Sequence, residues 1–209
     1  IQNYVLLDFI LDTGNAAGQN MVTLATNVAC EYIRQETGHK FFLDSNLASD
    51  KKASSRNMSL GRGHGVIAET HISKSVMSRV LNVDPDFVIE NWTYFPIVSA
   101  MAGTLGNAIH ASNALTAIYL ATGQDTACVA ENSLGHFTVE KVDEGITWRL
   151  TLPSMTVGTV GGGTRLNQQQ QNLKLLGCDS GKHSSRKLAE IIAAAALGLE
   201  ISLGSAIMS

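Results

Sequence analysis

Cysteine is scarce in this chain and poorly spaced for chemistry. Cys30, Cys128 and Cys178 are odd in number, lie far apart and include no CxxC pair. Neither a zinc site nor a disulfide framework follows, and a reducing compartment is the simpler reading. Charge is scarce too. Only 16% of residues are charged, where a disordered chain carries far more, and 44% are hydrophobic, enough to fill a core. The net charge of −3 gives no global attraction for nucleic acid but leaves room for a local anion site. Ile1-Gln2-Asn3 lacks the basic start and apolar run of a signal peptide. There is no internal repeat and no low-complexity tract beyond Gln168 to Gln171. The one run that competes as a membrane span, Leu188 to Met208, holds Glu190, Glu200 and several small residues, and reads as a buried helix. The chain starts without Met and ends inside an apolar pattern, as a piece of a longer protein would.

What is present is a mixture of helix and strand signals. Residues 3–11 are β-prone. Met21, Leu24, Val28 and Tyr32 recur at helical spacing over Gly18 to Glu36, with Gly38 placed to cap the end. Phe41 to Leu43 fits a short strand, and Asp44 to Gly65 a long polar loop of the length usually kept for function. Val66 to Ile72 reads as a strand. Ser73 can cap a short helix with Val76, Met77 and Val80 on its apolar face. Pro85 and Pro96 bracket an extended segment, and Ala100 to Thr122 reads as a small-residue core helix. Phe137 to Val142 and Ile146 to Leu152 flank Asp143-Glu144-Gly145 as an antiparallel hairpin. After a Gly-rich turn over Thr156 to Thr164, Leu166 to Leu176 and the segment from Ser184 or Ser185 onward are helical. With an antiparallel pair and no βαβ rhythm, the fold class is α+β.

Several segments can carry chemistry. Ser49-Asp50-Lys51-Lys52 puts two ammonium groups beside a carboxylate, although such a run is usually a solvated loop. Repulsion between adjacent lysines can lower one pKa toward a useful range. Asp125 follows an apolar helix. The negative helix end would raise its pKa, whereas capping a new helix at Thr126 would lower it, and the sequence leaves both open. A lysine and an aspartate from different parts of a fold can polarise a carbonyl and hold an oxyanion. Gly158-Thr-Val-Gly161-Gly162-Gly163-Thr164 can bring backbone N–H groups close to an anion, or serve only as a tight crossing; it fits neither the dinucleotide fingerprint nor the P-loop. Gly14 to Met21 is a second Gly-bearing helix entry, for a phosphate or simply for a capped start. His110 and Asn113 are three apart on one helix face, as an internal hydrogen-bonded pair or as site residues. No metal-ligand spacing is found. The other histidines, His39, His64, His71, His136 and His183, are scattered and read as surface residues.

In this order, Asp50-Lys51-Lys52, Gly61-Arg62-Gly63, Ser99-Ala-Met-Ala-Gly103, the His110/Asn113 helix, Ala121-Thr-Gly-Gln-Asp125 and Val157 to Thr164 resemble the catalytic domain of 3-hydroxy-3-methylglutaryl-coenzyme A reductases, closer to the eukaryotic and archaeal class. The resemblance implies a large, mainly helical domain with a small inserted cofactor lobe. Residues 1–44 would be the back part of that lobe, 45–65 a catalytic loop and 66–209 a truncated large domain. It implies reduction of the acyl thioester to mevalonate and coenzyme A with two NADPH (NADH possible), a step of isoprenoid precursor synthesis. Lys51 and Asp125 would be catalytic, and Asp50, Lys52, His110 and Asn113 would bind substrate. Asn15, Gly18, Gln19, Asn20, Met21, Gly123, Gln124, Val160, Gly161, Gly162 and Gly163 would hold the cofactor. The partners implied are an acyl-coenzyme A and a second copy, in a homodimer or homotetramer whose active sites span the interface, with Lys51 and Asp125 from different subunits. Nucleic acid and membrane contact are not expected of this segment. The location implied is the cytoplasm, or the cytosolic domain of an anchored protein.

The chain also departs from the family pattern. It holds no match to the family's upstream catalytic glutamate or its C-terminal histidine. Asn15 replaces an acidic residue of the cofactor motif, and Tyr94 stands where a substrate-binding lysine is expected. The loop reads Ser45-Asn46-Leu47-Ala48-Ser49 before Asp50. These departures keep two alternatives in view: a related reductase of another acyl thioester, and a non-catalytic, oligomer-forming member.

Overall fold

The computed structural model describes residues 3–209. The β-prone run 3–11 forms no ladder, and its residues are mostly exposed. A strand needs a neighbour to take up its backbone N–H and C=O groups, and no strand of the sheet lies against this one. Helix α1 spans Gln19–Thr37 and ends as expected at Gly38, which is left-handed (φ 71) and donates its N–H to the Arg34 carbonyl. Its apolar stripe does not face a core. Met21, Leu24, Val28 and Tyr32 are all exposed, and Cys30 is the one buried residue of the helix.

Phe41 to Leu43 forms no strand. The loop expected over 44–65 is interrupted by α2, Ser55–Leu60, started by Ser54, whose hydroxyl accepts the Asn57 N–H at 3.1 Å. Strand β1 is His64–Ile72, followed by a short helix, α3 (Lys74–Val76), that runs into a π-turn over Met77–Leu81. The Ser73 hydroxyl meets Ser75 Oγ and caps no backbone N–H.

The segment bracketed by Pro85 and Pro96 is helical, which corrects the extended reading. Helix α4 is Pro85–Trp92 and α5 is Phe95–Met101. The Asp84 carboxylate accepts the Asp86 and Phe87 N–H groups, so Pro85 sits where a helix has no use for its missing N–H. The core helix is shorter than expected: α6 covers only Ala111–Thr122. Gly103 and Gly106, at φ 74 and 82, keep the preceding stretch out of helix. The start of α6 is fixed from a distance. The buried Glu200 carboxylate accepts N–H bonds from Ile109, His110 and Ala111 at 2.9, 2.7 and 2.7 Å. A short helix, α7 (Val129–Asn132), precedes the hairpin of β2 (His136–Val142) and β3 (Gly145–Met155), and then come α8 (Asn167–Leu175) and α9 (Ser184–Met208).

The sheet is antiparallel in the order β1-β3-β2. As the middle strand, β3 is buried along most of its length. Its alternating Ile146, Trp148, Leu150 and Leu152 are fully buried, as period-two geometry requires of one face against a core. The Ala-rich face of α9, with Leu188, Ala189, Ile192, Ala193 and Ala196, joins the same cluster. Trp92 stacks on Phe95 and meets Phe137 and Trp148 edge-on, closing one end of the core. Helix α9 is also long and apolar enough to cross a membrane by length and composition, while here it buries one face in this core. The outcome is a mixed helix-and-strand fold with a small antiparallel sheet, in line with the expected class.

Because Trp148 is fully buried and Leu24 is exposed, their truncations separate cleanly. In denaturant unfolding of this chain, Trp148→Ala lowers stability by about 3–5 kcal/mol, whereas Leu24→Ala changes it by less than about 0.5 kcal/mol.

Candidate active site

Lys51 and Asp125 meet within one chain. Lys51 Nζ lies 2.7 Å from Asp125 Oδ2, with the two side chains 40% and 38% exposed. This corrects the expectation that they come from different subunits. The elements that bring them together are a turn and a helix end. Ser49 and Lys51 are both left-handed (φ 55 and 58), which non-glycine residues seldom adopt. Asp125 follows the Gly123 end of α6 and caps the next turn, where its Oδ1 accepts the Ala127 N–H at 3.0 Å.

The capping reading of Asp125 therefore holds. Its pKa is lowered, first by the hydrogen bond from Lys51 and then by the Ala127 N–H, against some opposition from burial. The Lys51 pKa is raised, chiefly by Asp125. This overturns the expectation of a lysine depressed by its neighbour: Lys52 turns away, with Nζ on the Asp50 carbonyl at 3.1 Å, and a carboxylate faces Lys51 instead. Lys51 is thus an ammonium through the neutral range, a donor and not a base. An exposed pair of this kind contributes about 0–1 kcal/mol to stability, so the turn must be held by other contacts.

Those contacts come from residues that the sequence reading gave no role. Glu131, in α7, is fully buried. It accepts the Lys51 N–H at 3.0 Å, the Asn57 amide at 3.0 Å, and both Nε and Nη2 of Arg62 at 2.6 and 2.7 Å. Arg62 also pairs with Asp50, and its pKa is raised because these two carboxylates outweigh its partial burial. The available signals were thin: a lone carboxylate in the apolar stretch Cys128-Val-Ala-Glu131, and an arginine between two glycines.

The expected cofactor segments converge beside Asp125. Ala16 forms a parallel bridge with Val160, and the Thr159 N–H donates to the Asn15 carbonyl. The Gln124 side chain binds both the N–H and the C=O of Gly158, each at 2.8 Å. Gly123, at φ 74, packs so closely that a Cβ there would lie 2.4 Å from the Gly163 carbonyl. Helix α1 begins at Gly18 with no side-chain cap, and Gly161 and Gly162 have positive φ and open space where a Cβ would point. An uncapped helix start and an open glycine turn fit the phosphates of a dinucleotide. Asn20, Met21 and Val160 are exposed around this cradle. Gln19 instead donates to Cys128 Sγ at 3.0 Å. The Asn15 amide is taken up by the protein: Nδ2 donates to the Gly181 carbonyl and Oδ1 accepts from Ser185, tying the entry of α1 to the start of α9.

His110 and Asn113 are paired, at 2.6 Å between Nδ1 and Nδ2, but sit at the start of α6 whereas Asp125 lies past its end. At 1.5 Å per residue the helix separates them by about 18 Å. One chain therefore does not bring them to Lys51. Tyr94 is exposed at the start of α5. His64, expected at the surface, is half-buried against Ser185 Oγ at 3.1 Å, and burial lowers its pKa. Among the described residues, no three His, Cys, Asp or Glu side chains gather as metal ligands, and all three cysteines are free.

A lysine ammonium held beside an open glycine cradle is an arrangement that can stabilise an oxyanion. The family model for hydroxymethylglutaryl-coenzyme A reductase matches residues 1–209, and the chain belongs to that family. It is 39% identical to the 3-hydroxy-3-methylglutaryl-coenzyme A reductase of Methanocaldococcus jannaschii and 41% identical to that of Aeropyrum pernix, over 93% and 99% of this chain. The reductase of Aspergillus terreus is 42% identical over 98% of the chain. The chain spans 50% and 51% of the two archaeal proteins and 20% of the fungal one. Its fold is similar to that of the class II reductase from Streptococcus pneumoniae, solved bound to NADPH in open conformations. That match has a TM-score of 0.63 and 20% identity, and covers 95% of this chain and 47% of that one.

The Asp125 contribution to stability is present above the ordinary carboxylate range and is lost as pH falls through its lowered pKa. The Lys51 contribution is present below 10.5 and is lost as pH rises through its raised value. Asp125→Asn therefore moves the Lys51 titration down in pH, and an NMR titration of the Lys51 side chain in both proteins measures the shift.

Proposed function

We propose that this chain supplies the carbonyl-polarising half of a 3-hydroxy-3-methylglutaryl-coenzyme A reductase, which reduces the acyl thioester to mevalonate and coenzyme A in isoprenoid precursor synthesis. The observation that carries this reading is the Lys51–Asp125 contact next to the glycine cradle. Hydride addition puts negative charge on the carbonyl oxygen. Lys51, kept protonated by Asp125, donates a hydrogen bond to that oxygen at the thioester and again at the aldehyde left when the oxyanion collapses, the C–S bond breaks and coenzyme A departs as the thiolate. Asp125 holds the ammonium in place between the two reductions. Asp50 and Lys52 flank it at the mouth of the site.

The bound cofactor, NADPH with NADH as the alternative, supplies the hydride. The first N–H groups of α1 from Gly18 to Met21, with Gly161 to Gly163, would hold its phosphates, and Gly123 and Gln124 would lie beneath it. Asn15 shapes this cradle through the backbone it ties. Residues 1–44 then form part of a small cofactor lobe set on a larger, mainly helical domain of 66–209, with 45–65 as the loop between them. The separation of His110 and Asn113 from Lys51 supports an assembly of two or four copies, in which one subunit lends that pair to its neighbour's substrate pocket. Three free thiols suit a cytoplasmic location, or the cytosolic side of an anchored parent.

The test uses the complete protein. Lys51→Ala lowers turnover of the acyl-coenzyme A at least ~100-fold, as loss of an oxyanion donor does, with assembly unchanged. Hydride consumption followed optically reads the effect, and full turnover contradicts the assignment.

A further inference from the structure

Three separate tethers hold the turn that presents Lys51, and they meet at one carboxylate. Asn57 Nδ2 donates to the Ser49 carbonyl at 3.2 Å and to Glu131 Oε1 at 3.0 Å. Arg62 grips Asp50 with one end and the Glu131 carboxylate with two nitrogens. Glu131 Oε2 takes the Lys51 N–H itself at 3.0 Å. Four donors converge on a carboxylate that has no exposure to solvent. A buried charge is costly unless it is paired and hydrogen-bonded, so this one holds its donors firmly in place.

The network is itself anchored. Ser154, on β3, donates its hydroxyl to the Asn57 carbonyl at 2.8 Å, and Asn132, next to Glu131, accepts from Tyr119 at 2.6 Å and from Thr156 at 3.0 Å. The chain from Asp125 to Glu131 is a 3-10 turn followed by α7. This one short segment therefore grips Lys51 twice: Asp125 holds the ammonium, and Glu131 holds the backbone. A left-handed lysine on an exposed turn is not kept there by its own preference, and the exposed ion pair is too weak to keep it there.

We propose that Glu131 is a positioning residue of the active site, fixing the Lys51 backbone so that the ammonium meets the substrate carbonyl. It acts through Lys51 and touches neither substrate nor cofactor. The inference rests on the reading of Lys51 as the carbonyl-polarising group.

The experiment is a double-mutant cycle in the complete protein, with kcat, KM and thermal unfolding measured for Lys51→Ala, Glu131→Gln and the pair. Glu131→Gln keeps the shape and removes the charge. It lowers kcat by about 30- to 100-fold, in the range that a misplacement of about 1 Å produces, and leaves KM within about threefold. Added to Lys51→Ala, it lowers kcat by less than about threefold, because the group it positions is already gone. An equal further fall in the Lys51→Ala background makes Glu131 a structural residue only and overturns the proposal, as does an unchanged kcat for Glu131→Gln alone. A fast Lys51→Ala enzyme removes the underlying reading and the proposal with it, whereas a slow Lys51→Ala beside a fast Glu131→Gln removes the proposal alone. If Glu131→Gln fails to fold, Arg62→Lys keeps the charge but loses the two-nitrogen grip, and the same comparisons decide.

Discussion

The buried Glu131 carboxylate, which gathers the Lys51 N–H, Asn57 and Arg62, is the constraint on which the Lys51–Asp125 contact depends. Lys51 sits on a turn with little intrinsic preference for its shape, and Asp125 at the start of a short 3-10 turn just past α6. Neither location is rigid by itself. Rigidity is imported from the sheet: Ser154 of β3 anchors α2 through the Asn57 carbonyl, and Asn57 reaches the Ser49 carbonyl. The same strand holds α7, since Asn132 donates to the Ser154 carbonyl. Thus β3, buried because it is the middle strand of three, reaches both sides of the site.

The glycine-rich contacts serve a second purpose. Gly123 and Gly163 approach each other at backbone distance, and Gly158 lies so near Ala17 that a Cβ there would stand 2.4 Å from the Ala17 nitrogen. These approaches bring the start of α1, the end of α6 and the 158–163 turn to one place. On the proposed reading, the side that would receive the hydride donor is thereby built from backbone, which carries no charge to disturb Lys51, while the acceptor side would be built from side chains. That division suits a reaction in which charge develops on one oxygen and must be met by one preorganised donor.

Much of this was legible in the sequence. Helix α1 and its Gly38 stop, the hairpin around Asp143-Glu144, and α8 and α9 follow from periodicity and turn chemistry. The meeting of Lys51 with Asp125 was implied by the family resemblance, between subunits, whereas the contact forms within one chain. Elsewhere, local patterns misled. Asp84-Pro85 is a helix-start signal, yet Pro85 and Pro96 read as the bounds of an extended segment. The small-residue run before Ala111 looked helical because composition says nothing of where a distant carboxylate, Glu200, will cap the chain. The strand expected at 3–11 had the right residues but joins no strand of the sheet. Glu131 was invisible because a buried charge is defined by its donors, which come from three other segments. The apolar stripe of α1 was read as a stripe, and it is exposed here, since periodicity gives a face but not what covers it.

The measurement that bears most directly on the central claim is a crystal structure of the complete protein with the acyl-coenzyme A bound. The account predicts the thioester oxygen within about 3 Å of Lys51 Nζ, with Asp125 of the same chain still on that ammonium. A thioester oxygen turned away from Lys51, or Lys51 drawn off Asp125 into solvent in every subunit, would contradict it.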